Sequence, residues 1–436
     1  MRRTIIALVD CVSFYANVER QFHAALENRP VIVLSNNDGN IVSLSTEART
    51  LGFKRGMAYH ECRPLIRQHG VAVFSSNFAL YQDVSDRIMA LLADFALVRD
   101  GIIQQERYSI DECFLDLSHV ADEHLLDVGR RMQATILQAT GINVRIGIAP
   151  TKILAKVAAE IAKREPIRGD VVSLAGLSEQ ELDGILETMA VEDIWTIGRR
   201  RAQVLEAQEI FTAEILKYTP PGRGRYLLGV TGERIVYELR GLSCIPLETA
   251  SKPKQGILVS RSFGRPIQDQ QELAEAIAHY AALAAVKLRR QESVADLLSL
   301  FISTNHFDTE GVPYAKGASQ HLPFATDFTP DLIAVAHALL QQMYRPGIRY
   351  HRAGVYLAEI GPRHVIQPDL FGGYDFEQEA KKARLMAVLD IITAFCGRDA
   401  LFFGTQGIMR PWQSRAMRRS GAYTTRWSDL LVVSAR

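Results

Sequence analysis

An α+β protein of several domains is predicted by three features of the sequence. At 436 residues the chain is longer than one hydrophobic core serves, and roughly two to four domains are expected. Over the first 165 residues, with the stretch 20–75 set aside as an inserted small domain, the apolar runs approximate the β-α-β-β-α-β order of a ferredoxin-like sheet. After the Pro/Gly/Lys linker SKPKQG (251–256), strand-forming and helix-forming stretches resume as a separate domain.

TIIALVD (4–10) is a near-continuous apolar run ending in an acid, which suits a buried central strand with Asp10 at its edge. FYANVERQFHAAL follows as a helix, and PVIVLSNND (30–38) is a strand running into a polar turn. In STEARTLGF (45–53), Ser45 or Thr46 can cap a short helix that Gly52 ends. LYQDVSDRIMALLADF (80–95) places Val84, Ile88, Leu91, Leu92 and Phe95 on one helical face. ERYSIDECFLDLS (106–118) reads as strand, tight turn, strand. A second amphipathic helix (125–140), the strand INVRIGIAP (142–150) and the helix TKILAKVAAEIAK complete this part. From about 166 to 240 the composition is helical. Beyond the linker come ILVSRSFG, an Ala-rich helix (272–290), LLSLFIST and HRAGVYLAEI, and then the loop-like PRHVIQPDLFGG.

No apolar run approaches the ~20 residues of a membrane span. Asp10 interrupts the apolar N-terminus and no small-residue cleavage site follows, so a strand of a cytoplasmic protein is expected there rather than a signal peptide. The cysteines at 11, 62, 113, 244 and 396 are odd in number and form no C-x-x-C pair, which argues against a disulfide framework or a cysteine zinc site. The net charge of +1 does not point to a nucleic acid. Its distribution does: from Thr405 onward, arginines at 410, 415, 418, 419, 426 and 436 stand against the single acid Asp429. Such an end suits a phosphate backbone, or is simply a solvated tail.

YSIDECF (108–114) sets Asp111 beside Glu112 in a stretch whose Tyr108, Ile110, Cys113 and Phe114 favour strand. Adjacent carboxylates repel and resist burial. A regular strand would point them to opposite faces, but a hairpin turn lets both face one edge. Asp10 converges on them if the two strands are neighbours. Three carboxylates in one place need hard cations such as Mg²⁺. Two such ions suit an in-line phosphoryl displacement. A solvated turn is the plainer reading of the pair taken alone.

ALVDCVSFYANVE (7–19), VIVLSNNDG (31–39), EARTLGFKRG (47–56), YSIDECFLDL (108–117), GIAPTKILAKVAAEIAK (147–163), IWTIGRR (194–200), SRSFG (260–264) and YTTRWSDLL (423–431) carry a family likeness. The chain resembles the Y-family translesion DNA polymerases, and closely the branch of the catalytic subunit of bacterial DNA polymerase V. The resemblance implies a right-hand polymerase. Its ferredoxin-like palm would occupy 1–20 and 76–165, small fingers 21–75, and a helical helix-hairpin-helix thumb 166–243. A β-α little finger gripping the duplex would span 252–360, and a tail with a clamp-binding peptide and a basic segment 361–436.

Site roles follow from the same resemblance. Asp10, Asp111 and Glu112 would be catalytic and would hold two Mg²⁺ ions, with the Cys11 carbonyl as a further ligand. Tyr15 matches the steric gate that excludes a ribose 2′-OH, beside Phe14. Phe14, Thr46, Arg49 and Lys163 would contact the nucleotide, the basic ones neutralising its phosphates. Lys156 is read only as part of a polar helix face. Ile197, Gly198, Arg199 and Arg200 would meet DNA phosphates, with Thr196 standing where a first glycine is common. Gln367, Leu370 and Phe371 of QPDLF would dock into a sliding clamp. Implied partners are primer-template DNA, dNTP, a UmuD′-like dimer, a RecA filament and the clamp, with no membrane. The implied function is error-prone synthesis across damaged template in the SOS response. Two rivals are weighed: a nucleotidyl cyclase with the same sheet and two-metal chemistry, against which the helix-hairpin-helix, the basic tail and QPDLF argue, and a non-catalytic DNA-binding regulator, against which the presence of Asp10, Asp111 and Glu112 together argues.

Overall fold

The structure, a computed structural model, describes residues 3–250, 252–308, 311–363, 375–397 and 399–432. QPDLF at 367–371 lies outside the described residues. Described residues within 1–35, 40–251 and 418–436 form one compact unit, and those within 36–39 and 252–417 form another.

The first unit begins with β1 (Ile6–Cys11), α1 (Phe14–Gln21), β2 (Val31–Leu34), β3 (Ile41–Leu44), α2 (Thr46–Thr50), α3 (Tyr59–His69), β4 (Ala72–Ser75) and α4 (Phe78–Ala93). A short ribbon, β5 (Val98–Arg99) and β6 (Ile102–Ile103), leads into β7 (Gln105–Arg107) and β8 (Glu112–Asp116). Then come α5 (Leu125–Thr140), β9 (Val144–Ala149), α6 (Lys152–Arg164) and β10 (Val171–Ser173). The helices α7 (Glu179–Glu187), α8 (Arg199–Glu206), α9 (Ala213–Tyr218) and α10 (Pro221–Leu239) follow. The second unit holds β11 (Ile257–Ile267), α11 (Gln270–Arg290), β12 (Ser293–Ser303), β13 (Ala315–Thr326), α12 (Thr329–Met343), β14 (Tyr350–Pro362) and α13 (Phe376–Cys396).

The main sheet has the order β10-β9-β1-β8-β7, so β1 lies between β9 and β8 and is antiparallel to both. The near-continuous apolar run of β1 reflects burial on both faces. Ala7, Val9 and Cys11 join the core that α4 and α5 cover, whereas Ile6 and Leu8 join the core on the α6 side. Gly147 of β9 permits that second layer: a Cβ there would overlap the Ala155 carbonyl and the Ala159 amide of α6. The insertion expected at 20–75 contains a separate sheet, β3-β2-β4, with its own core of Ile32, Leu34, Ile41, Leu44 and Phe53.

In the second unit the sheet order is β11-β14-β12-β13, all antiparallel. α11 and α12 cover one face through Leu298, Leu300, Ile302, Ala353, Val355 and Leu357. The residues expected as one C-terminal tail, 361–436, divide between the units. The Arg289 guanidinium donates from Nε and Nη2 to the two Asp390 oxygens at 2.7 and 2.8 Å, tying α13 to α11. Buried Trp412 packs on Tyr280. The described residues 418–432 belong to the first unit, and they form a docked strap rather than a free basic arm.

Candidate active site

Strand parity builds the acidic end of the main sheet. Asp10 follows Ile6 and Leu8 onto the α6 side, and Glu112 precedes Phe114 onto the same side. The register sets Asp10 directly opposite Glu112. Asp111 sits in the turn before β8, and its carbonyl accepts from the Cys11 amide at 2.9 Å. Ser109 shapes that turn: its hydroxyl lies 2.6 Å from Asp111 Oδ1 and accepts from the Asp111 and Glu112 amides. The hairpin thereby presents two adjacent acids to one edge.

These acids floor a cavity of about 470 Å³. Its walls include Thr46, Arg49 and Arg55 from the small-sheet region, Arg145 of β9, and Lys156 and Lys163 of α6. Burial raises the Asp10 carboxyl to about 6, helped by the neighbouring Glu112 and Asp111 charges and opposed by Lys163 and Arg145. Lys156 Nζ lies 2.9 Å from Glu112 Oε1 and 4.6 Å over the Tyr108 ring. Tyr108 OH in turn accepts from Trp195 Nε1 at 2.9 Å. Among the described residues, the trio whose ligand atoms all lie within 4.8 Å of one another is half-buried Asp296 with exposed His321 and Glu359, not these three acids. Asp10, Asp111 and Glu112 nevertheless gather hard oxygen donors at one end of the sheet, and such donors suit divalent cations such as Mg²⁺.

The expected nucleotide-side residues divide. Thr46, Arg49 and Lys163 line the cavity, Arg49 and Lys163 exposed, with Lys163 3.1 Å from Glu160. Ser45, not Thr46, caps α2, its hydroxyl accepting from the Ala48 amide. The Phe14 ring is buried in the sheet core, and neither Phe14 nor Tyr15 is among the residues lining the cavity. Tyr15 is half-buried beside it and stacks on Tyr81 at 4.4 Å and 15°. Ile197 is buried, while Arg199 and Arg200 are exposed at the start of α8, with Gly198 as its N-cap. Thr196 has φ 74°, the left-handed conformation a glycine adopts freely, and its carbonyl accepts from Arg201. Asp116, without a role in the sequence, is a buried structural acid that accepts from the Ser118 amide at 2.8 Å. Sequence reasoning missed Arg55 and Arg145, and left Lys156 as surface. The i, i+4, i+11 spacing of Lys152, Lys156 and Lys163 was the available signal.

Residues 9–160 match the impB/mucB/samB family and residues 254–370 match that family's C-terminal domain. Protein UmuC of Salmonella typhimurium strain LT2 is 39% identical over 431 residues, which cover 98% of this chain and 100% of the relative. The chain belongs to the impB/mucB/samB family. Protein ImpB of Salmonella typhimurium is 36% identical over 429 residues, covering 98% of this chain and 99% of the relative. DNA polymerase IV of Moorella thermoacetica is 29% identical over 385 residues, 87% of this chain and 91% of that protein. A solved Y-family DNA polymerase chimera shares the mixed α+β fold, with a TM-score of 0.65, 82% of this chain and 99% of that chain covered, and 21% identity. Residues 383–433 match a domain of unknown function.

Proposed function

We propose that the chain is a DNA-directed DNA polymerase of the translesion type, adding dNTPs to a primer 3′-OH opposite damaged template during the SOS response in the cytoplasm. The observation that carries this reading is the pairing of Asp10 with Glu112, Asp111 beside them, under a cationic wall of Arg49, Arg55, Arg145, Lys156 and Lys163. A relative named DNA polymerase IV supports it. The acids and the Cys11 carbonyl would hold two Mg²⁺ ions, which would supply activation of the attacking hydroxyl and stabilisation of the departing oxygen. Arg49, Arg55 and Lys163 receive the triphosphate and neutralise its charge. Lys156, 2.9 Å from Glu112 Oε1, orients that carboxylate within the site. Tyr15 lies under the sugar and excludes a 2′-OH by volume.

The main sheet is then the palm, the β3-β2-β4 region the fingers, and α7–α10 the thumb, whose Gly198-capped helix offers amides to a DNA phosphate. The second sheet is the little finger. Its open face carries Phe301, Arg352 and Tyr356 with small Gly317, Ser299 and Ser319 between them, a flat surface suited to a DNA groove. A UmuD′-like dimer and a RecA filament assist, and Gln367, Leu370 and Phe371 dock the sliding clamp.

Primer extension with purified chain, Mg²⁺ and dNTPs tests this, run with intact and abasic templates, alone and with the dimer and filament. Extension past the abasic site that Asp111→Asn removes is the expected result. Extension undiminished in Asp111→Asn would refute the assignment.

A further inference from the structure

The C-terminal strap reaches the aromatic stack that holds Tyr15. α1 places Glu19 one turn after Tyr15, fully buried. Tyr81 of α4, also fully buried, donates its hydroxyl to Glu19 Oε1 at 2.6 Å while its ring lies flat against Tyr15. Phe78 closes the side of the stack, edge-on to Tyr15 at 6.0 Å. The second donor to Glu19 Oε1 comes from across the sequence: Ser420 Oγ, at 3.0 Å. Glu19 Oε2 is buried without a hydrogen-bond partner among the described residues. Tyr81 and Ser420 therefore bear the whole side-chain anchoring of this carboxylate.

The strap is built to hold Ser420 there. Asn77 is the N-cap residue of α4, yet its side chain makes no capping bond. Its amide donates instead to the Ser420 carbonyl, the Ser420 hydroxyl and the Gly421 carbonyl at 3.0–3.1 Å. On one side Ser75 pairs with Arg418 through its amide, at 3.1 Å, and its hydroxyl, at 2.9 Å. On the other Tyr423 stacks on Phe22 of the segment after α1, with centroids 4.8 Å apart. Asp429, the acid of the basic end, accepts from the Ala422 amide at 2.8 Å and closes the turn.

We propose that the strap Arg418–Tyr423 sets the position of the Tyr15 ring, with Ser420 and Glu19 as positioning residues for sugar discrimination. The inference rests on Tyr15 being the gate. Discrimination by excluded volume depends on where a ring sits to within tenths of an ångström. Tyr81 cannot slide without breaking its bond to Glu19, and Glu19 cannot turn without losing Ser420. The last part of the domain of unknown function thus acts on substrate choice from outside the cavity.

The test is single-nucleotide incorporation by the full chain, under the conditions that support extension, comparing kcat/KM for a dNTP and its rNTP. Tyr15→Ala, Tyr81→Phe, Ser420→Ala and Ser420→Thr are compared with the unaltered chain, and each melting temperature is recorded. Tyr15→Ala should collapse the ratio. Ser420→Ala and Tyr81→Phe should each lower it about fivefold, the effect of one hydrogen bond. The change should lie mainly in the rNTP term, with dNTP efficiency held within about twofold, and Ser420→Thr should restore it. A ratio unmoved by Tyr15→Ala overturns the gate itself. A ratio moved by Tyr15→Ala but not by Ser420→Ala or Tyr81→Phe overturns the strap's role alone, whatever their melting temperatures. A Ser420→Ala chain too unstable to assay leaves Tyr81→Phe to decide, because that change keeps the ring and removes only the hydroxyl.

Discussion

The main sheet of the first unit and the sheet of the second unit share the element order β-α-β-β-α-β and differ in strand order. In the first unit, the first strand lies next to the second strand of the hairpin, which puts Asp10 opposite Glu112. In the second unit, the first strand is at the edge and the last strand is inserted between it and the hairpin. The main sheet is covered on both faces, so chemistry is left to its end, where like charges crowd. The second unit's sheet is covered on one face by α11 and α12, and small and aromatic residues spread over the other. An end that crowds carboxylates suits chemistry on a charged substrate, whereas an open face of small and aromatic side chains suits contact over an area.

The sharpest way to break this contrast is Asp111→Asn. Extension should fall by at least roughly 10²–10³-fold, as when one preorganised charge-stabilising group is lost, while DNA affinity stays within about twofold. Loss of binding in step with loss of extension would merge the two roles.

Next comes packing. Gly147→Ala should destabilise the first unit by roughly 1–3 kcal/mol or more, because backbone of α6 occupies the space its methyl needs. Gly317→Ala on the open face of the second unit's sheet meets only the Leu300 carbonyl at 3.5 Å and the Phe301 Cβ at 3.8 Å, an ordinary contact, and should stay near neutral in thermal melts. Equal melting temperatures for the two variants would remove the two-sided against one-sided distinction.

The charged end also predicts a pH effect. The Asp10 carboxyl is raised from 3.8 to about 6, so between those values the folded chain binds more protons than the unfolded chain and stability falls as pH rises. Without divalent cations, Asp10→Asn should raise the melting stability at pH 7.5 by on the order of 1–3 kcal/mol, and the gain should disappear below about pH 4. Mg²⁺ should stabilise the unaltered chain more than the variant. A variant no more stable at pH 7.5 would show that crowding at the sheet end is relieved some other way.

The smallest effect belongs to the face. Arg352, held at 3.0 Å from Ser260 Oγ and 5.6 Å over Phe301, is placed to meet a phosphate. Arg352→Ala should weaken DNA binding severalfold and reduce the salt slope by about 1, with single-turnover incorporation unchanged at saturating DNA. An unaltered salt slope would take Arg352 off the DNA-facing surface.

Much of the site was legible because its signals are local. Asp10 ends an apolar run, Asp111 sits in a turn with Glu112 opening the strand after it, and Ser45 precedes a short helix. Lys156 was read as surface because its partner, Glu112, arrives from a strand more than forty residues earlier, and helix spacing says nothing of what faces a polar side chain. The sequence sets Phe14 beside Tyr15 without saying which is covered; α1 turns Phe14 into the core and leaves Tyr15 half-buried, because helix phase decides between neighbours. The strap was read as a basic tail because composition counts its arginines and misses the serine and the tyrosine that dock it.

Run lengths, alternation and turn residues by themselves determined most strands and helices of the first 165 residues and which strand ends carry acids, since those preferences act over a few neighbouring residues; β13, α12 and α13 carry no such signal strong enough to be read. Which strand lies beside which, and which distant segment closes over α1 and α4, only the tertiary structure decided. Those pairings join residues up to four hundred positions apart, and the area they bury depends on the whole arrangement rather than on any window of sequence.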